Sequence, residues 1–300
     1  MKSYTGLRNL YATLTNNNDS ANLVLGDELI NDSLRRVYSE RDWDFLQKSG
    51  TASTVAGTQF YTLPYDYDEL IDVTITIGTT KYVPIECPNQ TFWDYLNRST
   101  TFQSDFPEYY YIFNGQIGFY PTPSGSNSNA ITYNYRRKVV DLSIADFTTG
   151  TVSATNGSTT ITNSGSNWTA PMAGRFIKLT PTNTAASTGD GVWYEVASVS
   201  SATVLLLVKP YNGTTTAGAA YTLSQVPILP ESYQDMPVYD AASTYFSSIN
   251  PNRMQAELYA KKAEYLLNKL RADHGTKTTD PSIHDAFPRK ILNPNLFITL

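Results

Sequence analysis

Two helical blocks at opposite ends of the chain bracket an interior whose apolar residues recur with a period of two. In LVLGDELINDSLRRVYSERDWDFL (23–46), Leu23, Ile30, Leu34, Val37 and Tyr38 recur at helical spacing, with Asp27, Asp32, Arg35 and Arg36 largely between them. Ser20 and Asn22 are the candidate N-caps, a short helix around Leu7 to Leu14 precedes them, and Trp43, Phe45 and Leu46 close the block as an aromatic anchor. In NRMQAELYAKKAEYLLNKLRAD (252–273), Tyr259, Ala263, Leu266, Leu267 and Leu270 share one face, Glu257 is spaced to pair with Lys261, and Asn250-Pro251 reads as an N-cap followed by proline at the first helical position. PESYQDMPVYDAASTYFSSI (230–249) suits a further helix, kinked or starting late at Pro237. Neither block has apolar face enough to stand alone. The pattern therefore predicts an α+β fold: a helical bundle from both chain ends, with an antiparallel β region and a small all-β barrel or sandwich inserted between.

Strand patterning covers TQFYTLP (58–64), ELIDVTITIG (69–78), KYVPIEC (81–87), YYYIFNGQIGFYPTP (109–123) and AITYNYRRKVV (130–140), with QTFWDYLNRS (90–99) a short amphipathic helix. Asn114-Gly115 between apolar runs is a strong hairpin signal. Composition shifts near Gly150. From there to Gln225 the only charged residues are Arg175, Lys178, Asp190, Glu195 and Lys209. Asn156-Gly157, Asp190-Gly191 and Asn212-Gly213 punctuate about six short strands, and Trp168, Phe176, Ile177, Trp193 and Leu205 are too apolar for a disordered linker. The expected division is a core of 1–149 with 227–272, holding the helical bundle and a β-sheet, an inserted all-β module at 150–226, and an extended tail at 273–300.

Only 16% of residues are charged, and tyrosine is abundant at 22. Both features fit surfaces buried in an assembly, and tyrosine equally fits a β-rich fold. The net charge of −5 argues against a dominant phosphate-binding surface. Arg136-Arg137-Lys138, the densest basic run, reads as a solvated strand end. Cys87 stands alone, so no intramolecular disulfide and no cysteine-rich metal site is expected. The start has no signal-peptide apolar region and no window is apolar enough for a membrane span, so cytoplasmic synthesis is expected.

No catalytic constellation emerges. His274 and His284 lie at or beyond the last helix without a metal-type partner at helical spacing, and the carboxylates of LPYDYDEL (63–70) lack a calcium-loop pattern. No nucleophile elbow, phosphate loop or zinc-protease motif is present. No cofactor and no metal are expected. NGS (156–158), NWT (167–169) and NGT (212–214) match the glycosylation pattern by composition alone. Trp168, Trp193, Tyr194 and Tyr211 are either module core or a sugar-stacking surface, the latter making a carbohydrate- or receptor-binding protein the alternative reading.

The run LINDSLRRVYSERDWDFLQKSGTASTVAGTQFYTLPYDYDEL (29–70) resembles the amino-terminal region of phage head-to-tail adaptors of the tail-tubular-protein-A type. FPEYYYIFNGQIGFYPTP (106–123) is similar to that family's aromatic hairpin, and 228–271 to its carboxy-terminal helical pair. The resemblance implies a structural virion protein at the head–tail junction without catalysis. It implies a ring, typically of twelve copies, beneath the portal protein, docking the tail nozzle or tail tube protein and passing double-stranded DNA without sequence-specific contact. Within that picture, 22–47 and 231–272 form the ring body, and the β module lies outside the channel. The tail either packs on its own subunit or docks on a neighbour or the portal through Phe287, Ile291, Leu292, Leu296, Phe297, Ile298 and Leu300.

Overall fold

The structure, a computed structural model, describes residues 1–98, 102–165, 168–181 and 189–274. It is mixed α+β, with five α-helices and three predominantly antiparallel sheets among the described residues. The chain forms two compact units, one of Met1–Glu40 with Val140–Asp273 and a second of Arg41–Val139 with His274.

In the first unit, α1 (Tyr4–Thr15) starts at Ser3, whose hydroxyl accepts from the Gly6 amide, and stops at Asn16, which adopts the left-handed conformation that ends helices. Helix α2 (Ser20–Glu40) begins at Ser20 itself, so neither expected cap serves. Asn22 lies inside the helix, buried, and its amide donates to the Asn17 carbonyl and the Thr15 hydroxyl. Gly26 admits the Tyr11 ring so closely that an added Cβ would sit 2.4 Å from it, which fixes the approach of α1 to α2. Helix α4 (Met236–Thr244) starts late, with Pro237 in its first turn where no amide partner is lost, and continues as one π-helical turn, Tyr245–Ile249. It packs against both α1 and α2. Helix α5 (Arg253–His274) is capped by Asn252, whose side-chain Oδ1 accepts from the Gln255 amide, and not by Asn250. Glu257 pairs with Arg253 at 2.7 Å and not with Lys261.

The same unit contains a seven-stranded sheet. In chain order its strands are β9 (Val152–Ala154), β10 (Thr160–Asn163), β11 (Phe176–Leu179), β12 (Trp193–Ser201), β13 (Val204–Leu207), β14 (Thr216–Ala219) and β15 (Tyr221–Ser224). Their order across the sheet is β14-β9-β10-β13-β12-β11-β15. Two register shifts between β12 and β13 bend the sheet, and it curls round one core that includes Ile161, Trp168, Val196, Leu205 and Tyr221. The Asn156-Gly157 turn joins β9 to β10, with Gly157 at φ 77°. The chain start is fastened here: Tyr4 donates its amide to the Gln225 carbonyl at 2.9 Å, Ser3 and Ser224 both donate to Asp146, and the Trp193 indole donates to the Met1 carbonyl at 3.0 Å.

The second unit is a small sandwich. One sheet has the order β1-β8-β3-β4, formed by β1 (Gln47–Ala52), β3 (Tyr67–Ile77), β4 (Thr80–Tyr82) and β8 (Ile131–Arg137). The other has the order β2-β7-β6-β5, formed by β2 (Phe60–Thr62), β5 (Ile85–Glu86), β6 (Tyr109–Phe113) and β7 (Gln116–Tyr120). KYVPIEC is therefore not one strand: Pro84, which has no amide to donate, separates β4 and β5 into different sheets. The inner faces share one core, with Val73, Ile75, Ile131, Tyr133 and Tyr135 from the first sheet and Tyr61, Ile117 and Phe119 from the second. Helix α3 (Gln90–Leu96), capped by Asn89, lies on the outer face of the second sheet.

Candidate assembly surfaces

The groups with potential chemistry are spread out and tied into the fold. His274 ends α5 half-buried, and His284 lies outside the described residues. Burial, helped by Glu86, pushes the Cys87 thiol up to about 11, so it stays protonated and inert at neutral pH. Asp66 is buried and accepts from the Tyr135 hydroxyl at 2.8 Å and Lys48 Nζ at 2.9 Å. Burial first, and that bond second, raise the Tyr135 hydroxyl far above the usual phenol range, which marks a neutral structural donor. Within the basic run, Arg136 is neutralised locally, since it meets Asp42, Asp68 and Glu69 within 3.2 Å. Among the described residues no group of three His, Cys, Asp or Glu side chains is placed to hold a metal ion. No helix of the described residues is long and apolar enough to cross a membrane.

In the β module the aromatic residues face inward. Trp168, Tyr194 and Tyr211 are buried, and Trp193 is half-covered, with Lys178 Nζ 4.9 Å above its ring. Asn156 clamps the turn opposite by donating to the Asn212 and Gly213 carbonyls. The side chains considered for sugar stacking are thus largely core.

The sandwich has two unlike outer faces. On the first sheet, register places Ser49, Asn134 and Asp72 in one row and Thr51, Thr132 and Thr74 in the next, a polar face of the kind water covers. On the second sheet, Ile85, Tyr109 and Tyr120 stand side by side across three strands, followed by Tyr111, Gly118 and Phe60. Helix α3 covers part of this row: Phe92 meets Tyr109 at 5.6 Å between ring centroids, and Trp93 stacks on Tyr111 at 5.7 Å. The rim stays open. Val83, Ile85, Tyr95, Phe102 and Phe113 are each more than half exposed. Exposed apolar side chains that lie together are the kind of surface that contacts use. The strand YYYIF carried the signal for it, because neither of its alternating faces is polar.

A concavity lies within the first unit. Val37 and Arg36 of α2, Met236 and Asp240 of α4, and Ala263 and Leu267 of α5 line a cleft of about 370 Å³. Ion pairs of Arg36 with Asp240 and of Arg271 with Glu40 cross-link the same three helices. The residues expected to dock the tail, Phe287, Ile291, Leu292, Leu296, Phe297, Ile298 and Leu300, lie outside the described residues.

These surfaces define a protein that offers contact area, carried on a helical frame and two β regions. A family profile described as SU10 adaptor protein matches residues 2–159, more than half of the chain, and the chain belongs to that family. It is a phage structural adaptor, a virion component that associates with other head–tail components, and its family is not one of enzymes. No curated protein matches the chain.

Proposed function

We propose that this adaptor is of the tail-tubular-protein-A type and forms a ring of twelve copies between portal and tail. The observation that carries the reading is the adaptor-family match over 2–159, which spans α1, α2 and the whole sandwich. The helices of 22–47 and 231–272 act as a bundle that makes the ring body, the ring continues the DNA channel, and its far face docks the tail nozzle or tube protein. A net charge of −5 supports a lumen through which DNA slides, since clustered cations would hold the phosphates. Functionally the chain divides into an adaptor core of 1–149 and 227–272, a β module of 150–226 placed outside the channel, and a tail of 273–300. Phe287, Ile291, Leu292, Leu296, Phe297, Ile298 and Leu300 dock the tail on a neighbour or the portal, gaining order as they bind. The buried positions of Trp168, Tyr194 and Tyr211 give no support to a carbohydrate-binding role for the module. Electron cryomicroscopy of intact particles tests the reading: density for this chain is expected as a ring at the head–tail junction, and its location anywhere else overturns the proposal. Deleting 276–300 is expected to abolish attachment to portal rings, and unchanged attachment removes the tail's role alone.

A further inference from the structure

We propose that α5 of one copy docks on α2 of a second copy, through a basic apolar stripe on α5 and an acidic apolar stripe on α2. This rests on the ring reading above and names its contact surface.

Helix α5 has 22 residues, of which only Tyr259, Ala263 and Leu270 are buried, all on one side. Met254, Leu258, Lys261 and Tyr265 recur at i, i+4, i+7 and i+11 on the opposite side, which makes a continuous stripe at the helical repeat. Met254 is 75% exposed and Tyr265 67%, far more than a helix seated on its own core requires. Lys269 extends the stripe by one turn. Neither Lys261 nor Lys269 forms an ion pair among the described residues.

Helix α2 presents the complementary chemistry. Ile30, Leu34 and Val37 face its core, while Val24, Glu28 and Asp32 recur at i, i+4 and i+8 on the outside. Val24 is 59% exposed. Glu28 forms no ion pair among the described residues, and a single guanidinium, that of Arg35, serves both Asp32 and Asp141. The stripe is therefore net acidic. The α5 of the same copy faces α2 across the cleft, on the side of Ser33, Arg36 and Val37, and leaves this outer stripe uncovered.

Charge selects the geometry. Two α5 stripes repel each other, as do two α2 stripes, so a two-fold contact through either is disfavoured and the α5-to-α2 contact is favoured. A contact between two different faces of identical subunits is head-to-tail, and it gives a ring where the rotation from copy to copy closes. The helices also match in length, at about 31 and 33 Å from 1.5 Å per residue.

The test uses two charge-reversed full-length proteins, Lys261→Glu with Lys269→Glu, and Glu28→Lys with Asp32→Lys. Each now carries like charge on both stripes, while a mixture restores opposite charge at every contact. Ring formation is read by mass photometry and electron microscopy, alone and with portal rings, and circular dichroism verifies folding. The single changes Lys261→Glu and Glu28→Lys serve if a double variant melts early. The expected result is loss of rings for each variant alone and recovery in the equimolar mixture. Rings from both variants alone overturn the inference and leave the ring reading intact, and folded variants that fail even when mixed overturn it as well. Absence of rings from the unaltered protein under all conditions overturns both.

Discussion

The β module and the sandwich are both made of short, mostly antiparallel strands, yet they dispose of their aromatic residues in opposite ways. In the module, Trp168, Tyr194, Tyr211 and Tyr221 are buried, and Val192 and Val208 are the large apolar side chains left exposed among the described residues of 150–226. In the sandwich, nine are exposed, from Val55 and Tyr65 to Phe106 and Phe113. The module curls its sheet round one core, so every strand has an inside. The sandwich packs one face of each sheet on the other and leaves its aromatic second sheet only partly covered by α3. A region that has hidden its apolar surface depends for stability on what lies within it; a region that has not keeps surface for a partner. The two should therefore respond differently to the same kinds of change.

The largest effect is expected at Tyr221. Its hydroxyl accepts from the Trp168 indole at 3.1 Å and from Asn163 at 3.2 Å, and donates to the Thr149 carbonyl at 2.9 Å, with the ring sealed in the core. Tyr221→Ala removes a buried aromatic and should lower stability by about 3–5 kcal/mol. Tyr221→Phe keeps the volume, strands those partners, and should cost about 1–3 kcal/mol. Denaturant titration followed by tryptophan fluorescence distinguishes the two. Equal losses would mean that the hydroxyl network, not ring volume, holds the module together.

Next in size is Gly118, on the covered part of the sandwich face. A Cβ there would lie 2.6 Å from the Phe60 ring and 2.9 Å from Trp93, so Gly118→Ala should cost about 1–3 kcal/mol as α3 is forced outward. Truncating Trp93 in the same chain should relieve part of that clash, a double-mutant cycle readable by thermal melting. This site also shows how far the sequence was legible. Turn positions were plain, because Asn114 at φ 50° and Gly115 at φ 72° need residues that tolerate such angles. The late start of α4 followed from Pro237, and the strands of the module from their apolar alternation. The break between β4 and β5 was not read, although Pro84 marks it, because a run of alternating residues looks like one strand until its partners are known. The fastening of Tyr4 to Gln225 joins residues more than two hundred positions apart, and no local pattern encodes it. The open aromatic rim was hidden for a related reason: periodicity tells which residues share a face, and only the packing of α3 tells which of them it covers.

A smaller, pH-dependent difference should come from Tyr194. Burial first, and its bond to Asp190 second, push this phenol up to about 12. In the unfolded chain it titrates near ~10. The folded protein thus keeps a proton that the unfolded chain releases. The contribution is complete below pH ~10 and is lost as pH rises toward 12. Tyr194→Phe should make the fall of stability across that window shallower, with the remaining slope shared among the other raised tyrosines, Tyr4, Tyr11, Tyr135 and Tyr233 among them. Denaturation curves at stepped alkaline pH check this, and a slope unchanged by the substitution would place the dependence elsewhere.

The smallest effect on stability is expected where the exposed apolar surface is greatest. Phe113 is 54% exposed and Tyr95 63%, and each makes little contact with the sandwich core. Phe113→Ser with Tyr95→Ser should therefore move the unfolding free energy by no more than about 0.5 kcal/mol, the range of ordinary surface changes. The same pair should raise the concentration at which the purified protein self-associates, as measured by light scattering, because it removes aromatic area from the open rim. Substituting Val192 and Val208 of the module with serine should alter neither quantity. If the sandwich pair instead destabilised the fold strongly, its rim would be part of the core, and the contrast between a curled β region and an open one would fail. A neutral effect on stability together with a large one on association is what separates surface kept for contact from surface that is merely left over.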